Sequence, residues 1–166
     1  LGFTPDVEEN TPNAVLAAAN IIPTTKGISG SKTLINMNWD NIDGIHSATT
    51  VQLLGDVKRT FLSNNTNVYE MVNGTKTDVF TSVEPITHTN VVSFGNMSVA
   101  STGGATKLLS ALEGLSFTEI TEAPKAKIID VVSGFIMALN YNTIPNGWYS
   151  SGIQNPLEWT TGTSTQ

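Results

Sequence analysis

Few residues in this chain have the type and spacing for chemistry. There are two histidines, His46 and His88, and no cysteine. A zinc site takes three or four His, Cys or carboxylate ligands, and no motif sets a second ligand beside either histidine. Each reads as an ordinary strand or loop residue. The stretch Asn38-Trp39-Asp40-Asn41-Ile42-Asp43-Gly44 has some of the look of a calcium loop. That chemistry wants oxygen ligands at alternate positions and a glutamate at position 12. Here Asp43 falls one place late and position 12 is Thr49, so a polar turn accounts for it. Ser101–Lys107 (STGGATK) lacks the G-x-x-x-x-G-K-[ST] spacing of a phosphate loop, and Leu108 follows the lysine. A turn between strands explains it. No G-x-S-x-G elbow marks a nucleophilic serine.

Carbohydrate chemistry has slightly more to work with. Trp39, Trp148 and Trp159 could stack on sugar rings, although packing between sheets is the plainer role for large aromatics in a repeat. A two-carboxylate hydrolase is conceivable among 14 acidic residues, but no motif selects a pair. Sialidase-type chemistry needs several arginines, and Arg59 stands alone. Asn64, Asn73 and Asn96 begin N-x-[ST] sequons, which matter only on a eukaryotic secretory route. The reading is a non-enzyme: no catalytic residue, no cofactor-binding residue and no metal ligand.

The elements that would carry any site repeat. Lys127–Val132 and Phe135–Leu139 are apolar, β-branched runs separated by Ser133-Gly134, which fits a strand–turn–strand hairpin. The layout recurs around Gly55, between Thr49–Leu54 and Val57–Leu62, and around Gly95, between Thr89–Phe94 and Met97–Ser101. These glycines lie 40 and 39 residues apart. Short apolar units follow in step: Val68-Tyr69, Leu108-Leu109 and Trp148-Tyr149, then Val79-Phe80, Phe117–Ile120 and Trp159. A loop over Asn142–Gly147 precedes the third strand of the last unit, and Leu157–Thr160 is its expected fourth. The spacing predicts an all-β fold of β-propeller-type blades, each of four antiparallel strands and about 40 residues. A β-sandwich with regular hairpins is the alternative. Three blades fall short of the usual four to eight, so the ring is expected to be incomplete. Ile129, Val131, Phe135, Met137 and Leu139 are the expected buried set of the last hairpin, on the rule that alternate residues share a face.

The domain reading is an N-terminal arm or partial blade over 1–45 and about three blades over 46–166, one domain overall. Within the arm, Asn13–Ile22 reads as a short helix behind Thr11 and Pro12 or as an extended segment. Thr24–Lys32 reads as loop and Thr33–Met37 as strand. Thr161–Gln166 reads as a frayed tail. Leu1 is not a start methionine and the sequence shows no basic-then-apolar signal segment, so a processed or partial chain is expected.

Composition narrows the function classes. Charged residues make up 13% of the 166, and the net charge is −6. Thr, Asn, Ser and Gly take their place, giving a polar, weakly charged surface. Stable nucleic-acid binding needs clustered Lys and Arg, and Lys125 with Lys127 is the nearest approach to a cluster. No apolar run reaches the roughly 18 residues of a membrane span.

Three phrases, FGNMSVASTGG (94–104), EAPKAKIIDVVSGFIMALN (122–140) and WYSSGIQNPLEW (148–159), resemble the tail nozzle, or tail tubular B-type, proteins of short-tailed bacteriophages. The opening TPD (4–6) and NIIPTTKG (20–27) are similar to the start of that family. The likeness covers most of the chain and lies in the order and spacing of its phrases. It implies a propeller-bearing structural subunit of the phage tail in the virion. It also implies a homo-oligomer, a ring of six, around the channel for DNA ejection. Adaptor, fibre or tailspike proteins would be its neighbours. An acidic, arginine-poor wall suits a conduit through which DNA slides without sticking. The alternative is a receptor- or carbohydrate-binding propeller domain.

Overall fold

The computed structural model describes residues 42–142 and 144–159, and the backbone of short strands at 2–3, 14–15, 21–24, 27–30 and 163–164. Contacts divide the chain into two compact units, Leu1–Met37 and Asn38–Gln166. In the first, β1 (Gly2–Phe3) pairs in parallel with β2 (Ala14–Val15). β3 (Ile21–Thr24) pairs antiparallel with β4 (Gly27–Gly30). Of the two readings of 13–22, helix or extended segment, the described residues follow the second, with strand at Ala14–Val15 and at Ile21-Ile22; 13 and 16–20 lie outside the described residues. Two β-branched residues ahead of Pro23 favour extended backbone over a helix of marginal length. The loop expected over 24–32 contains β4. The strand expected over 33–37 lies outside the described residues.

The second unit is built from three four-stranded antiparallel sheets, each a simple meander in chain order. The first sheet holds β5 (Ser47–Gln52), β6 (Lys58–Ser63), β7 (Asn67–Val72) and β8 (Thr75–Thr81). The second holds β9 (Asn90–Phe94), β10 (Met97–Ser101), β11 (Leu109–Leu112) and β12 (Thr118–Glu119). The third holds β13 (Ala126–Val132), β14 (Phe135–Tyr141), β15 (Ile144–Ser150) and β16 (Thr163–Ser164). No helix occurs among the described residues. The opening hairpins turn where expected, with positive φ at Gly55, Gly95 and Gly134. In the last, Ser133 (φ 47°) and Gly134 (φ 84°) both take the left-handed region. That is the two-residue turn whose twist matches the flanking strands.

Two apolar clusters lie on opposite sides of the second sheet, where a two-layer sandwich would have one. Between the first and second sheets, Val51, Phe61, Val68 and Val79 meet Val91, Ala100, Leu109 and Ala111. Phe61 and Phe117 touch there at 5.1 Å between ring centroids. Between the second and third, Val99 and Leu108 meet Ala126, Ile129, Ile136 and Ala138. The sheets approach each other at their first strands, β5 beside β9 and β9 beside β13. Side chains bridge both steps. The Thr89 N–H donates to Ser47 Oγ at 2.9 Å, and the Ile129 N–H donates to Asn90 Oδ1 at 2.8 Å.

The expected buried set of the third sheet needs correcting. Ile129 is buried, but Val131 and Leu139 are exposed, and Phe135 and Met137 are half-buried. A two-residue turn pairs Val132 with Phe135, Val131 with Ile136 and Ile129 with Ala138. Facing partners share a side of the sheet, so odd positions of β13 go with even positions of β14. The inner face is Ile129, Ile136 and Ala138, each 2% exposed or less; Ala126 and its partner Tyr141 are also buried, beyond the irregularity at Asn140, where φ is positive. The outer face is Ile128, Asp130, Val132, Phe135, Met137 and Leu139.

The end of the chain also departs from expectation. The loop predicted at 142–147 is mostly strand, since β15 begins at Ile144. Its Gly147 is buried, and a Cβ there would meet the Tyr141 ring at 2.6 Å. Of the strand predicted at Leu157–Thr160, Leu157 lies in a turn and Glu158 and the buried Trp159 are in no strand, while Thr160 lies outside the described residues. The fourth strand is Thr163–Ser164, within the predicted frayed tail.

Candidate functional site

The residues singled out for chemistry are dispersed, and most are explained by packing. His46 is exposed and sits 3.4 Å from Ser47 Oγ. His88 Nε2 donates to the Lys127 carbonyl at 2.7 Å, which ties the second sheet's approach to the third. Ser101 Oγ adds a second tie, donating to the Ala126 carbonyl at 2.6 Å. Among the described residues, no group of three or more His, Cys, Asp or Glu is placed to hold a metal. Asn38–Asn41 lie outside the described residues. In the rest of that loop, Ile42 is buried against Tyr69 and Met71, as a structural turn requires.

The STGGATK loop turns its hydroxyls inward. Thr102 Oγ1 accepts from the Thr106 N–H at 3.0 Å and lies 2.9 Å from Thr106 Oγ1, both residues being buried. The Ala105 N–H donates to the Thr102 carbonyl as well, so the turn is held by its own residues. Asn64 likewise serves its own turn, with Oδ1 accepting from the N–H groups of Thr66 and Asn67. Asn73 and Asn96 are exposed in hairpin turns.

The tryptophans separate by role. Trp39 lies outside the described residues. Trp159 is fully buried, its Nε1 donating to the Pro156 carbonyl at 2.9 Å. Its ring stacks on Tyr149 at 5.9 Å and 7°. Trp148 is half-buried; it pairs with Leu139 and so belongs to the outer face of the third sheet.

Arg59, the single arginine, was not marked as special by any motif, yet it has the densest set of partners. It is 2% exposed. Its Nε and Nη2 donate to the two carboxylate oxygens of Glu70, each at 2.7 Å. Nη1 donates to the Leu112 carbonyl at 2.8 Å and Nη2 to that of Leu115 at 3.0 Å. The guanidinium also lies 4.9 Å from the centre of the Phe61 ring. The planar fork suits this bidentate clamp, which joins the first sheet to the β11–β12 turn of the second. The available signal was positional: Arg59 shares a strand face with the core residue Phe61.

The clefts are shallow. One of about 450 Å³ includes Lys107, Glu122, Lys125, Tyr141 and Tyr149 in its lining. Both ammonium groups there donate to backbone carbonyls, Lys107 to Thr121 and Lys125 to Ala105. A second, of about 290 Å³, brings Glu84 and Glu119 to one cleft with Lys125. A groove of about 330 Å³ follows the three first strands, lined by Thr50, Gln52, Ser93 and Asp130 among others, with no cation.

What stands out is a surface. Ile128, Val132 and Leu139 are 49%, 50% and 40% exposed on the outer face of the third sheet, beside Phe135, Met137 and Trp148. These side chains lie on one side of the same three strands. No protein-family model matches the chain, and no curated protein is significantly similar to it.

Proposed function

We propose that the chain is a structural, non-enzymatic component of a short-tailed bacteriophage tail, a nozzle or tail-tube subunit of the DNA-ejection channel. Its three sheets are read as successive blades of a β-propeller. The observation that carries the blade reading is the repeat itself. Three four-stranded meanders stack face to face with adjacent first strands and hairpins at Gly55, Gly95 and Gly134. Sheets related this way fan out from a common axis and continue naturally into a ring.

The tail assignment rests on the phrases at 94–104, 122–140 and 148–159, and electrostatics supports it. The net charge is −6, and Arg59 is buried in an ion pair with nothing left for phosphate. Such a surface lets DNA pass without holding it. The carbohydrate-binding alternative is weakened by Trp159, whose ring lies in the core. In this reading the chain forms a ring of six beside adaptor, fibre or tailspike proteins. Purified tails, separated from capsids and quantified by mass spectrometry, should contain the chain at a fixed ratio of six per particle. Recovery of the chain in the capsid shell, or as a free glycan-cleaving monomer, would refute the assignment.

A further inference from the structure

We infer that the cleft between the second and third sheets binds a small acidic saccharide, a sugar carrying one carboxylate. The inference goes beyond the tail assignment and does not depend on it. The cleft has a volume of about 450 Å³, and Lys107, Glu122, Lys125, Tyr141, Asn142 and Tyr149 are in its lining. Two ammonium groups against one carboxylate make it locally positive, on a chain whose net charge is −6. Both ammonium groups are held in place. Lys107 Nζ donates to the Thr121 carbonyl, and Lys125 Nζ donates to the Ala105 carbonyl at 3.1 Å. An ammonium has three N–H groups, so each lysine keeps two for a ligand. Among the described residues, neither lysine is paired with a carboxylate.

Charge calls for an anion, and the rest of the lining calls for a hydroxylated ring. Tyr149 stacks on the buried Trp159, and its ring centre lies 5.6 Å from that of Tyr141. A wall already fixed by core packing loses little freedom when a ligand arrives. Each tyrosine offers an apolar body for the C–H groups of a sugar and a hydroxyl for its oxygens. Asn142 Oδ1 accepts from the Lys125 N–H at 3.2 Å, which orients the amide and leaves its NH2 group to donate. Among the described residues, Glu122 and the two tyrosine hydroxyls have no protein partner, so they too can serve sugar hydroxyls. A mostly apolar wall with a few convergent polar groups is the composition of a small-ligand site. Glu122 decides which acid fits. A phosphate ester with up to two negative charges would crowd that carboxylate, whereas a sugar acid brings a single charge for the two lysines.

The test titrates the full chain with sodium glucuronate, N-acetylneuraminate, glucose, acetate and inorganic phosphate, read by amide NMR shifts. At least one of the two sugar acids should saturate a single site and move the amides of Lys125 and Asn142. Glucose and acetate should bind at least tenfold more weakly, because each lacks half of what the cleft recognises. Lys107→Met and Lys125→Gln should each weaken the sugar acid about tenfold, and Lys58→Met, on the first sheet, should leave it unchanged. Lys125 is exposed and Lys107 half-buried, so both variants should fold, and unshifted amides at Ile129 and Ile136 check that they do. Failure of both sugar acids to move the cleft amides overturns the proposal. So does phosphate binding more tightly than either, glucose binding as tightly, or sugar-acid binding unchanged in both folded lysine variants. Each of these results concerns the isolated chain and leaves the count of six per tail to its own measurement.

Discussion

Replacing Arg59 should be among the most damaging single changes to the fold. Arg59→Met removes a buried cation and leaves Glu70, 12% exposed, with an uncompensated carboxylate. It also strands the carbonyls of Leu112 and Leu115, which accept from Nη1 and Nη2. Breaking one partner of a buried ion pair costs about 3–5 kcal/mol. That is a large fraction of the roughly 5–15 kcal/mol that holds a typical domain folded. Arg59→Lys should cost nearly as much, because one ammonium cannot span two carboxylate oxygens and two carbonyls in a plane. Removing both charges with Arg59→Met and Glu70→Leu should recover part of the loss, since the desolvation of the pair is then also removed. Urea titrations of the unaltered chain, Arg59→Met, Glu70→Leu and the double variant form a double-mutant cycle with an expected coupling of about 2–3 kcal/mol. A loss below about 1 kcal/mol for Arg59→Met would refute the reasoning, because that is the worth of a solvated surface pair.

Other substitutions test the packing. Ile136→Ala, on the inner face, should cost about 2–5 kcal/mol, whereas Phe135→Ala in the isolated chain should cost clearly less than the 3–5 kcal/mol of a fully buried ring. Chemical denaturation of the pair reads the parity of the hairpin directly, and a reversed order would place the core on the opposite face. Gly147→Ala should destabilise by about 1–3 kcal/mol, because its Cβ would collide with Tyr141 and Ile144; an unchanged melting temperature would contradict the close packing at that strand.

How far the sequence could be read depended on the kind of signal each element carries. The hairpins at Gly95 and Gly134 were legible because a two-residue turn has few solutions, and Gly55 marked a longer connection between Gln52 and Lys58. The chain-order meanders followed from regular spacing. The faces of β13 and β14 were legible too, yet only once Ser133-Gly134 is counted as a two-residue turn, which shifts the parity between the strands. Treating each strand's alternation separately put Phe135 and Met137 on the wrong side. β16 could not be read, since Thr163-Ser164 has no apolar pattern and gains its strand character by pairing with Trp148 and Tyr149. The Arg59 clamp was hidden for a similar reason: two of its partners are carbonyls more than 50 residues away, and backbone groups leave no mark in a sequence. For the candidate surface, the apolar content of β13 and β14 was plain, but which of their faces a neighbouring sheet covers is decided by residues far away in the chain.

The most direct measurement of the central claim is a symmetry-averaged electron cryomicroscopy map of the intact short tail. The account predicts six copies in one ring at the tail, each showing the three stacked four-stranded sheets with their first strands adjacent. A tail map in which every density is assigned to other proteins would contradict it, as would sheets arranged as a single two-layer sandwich.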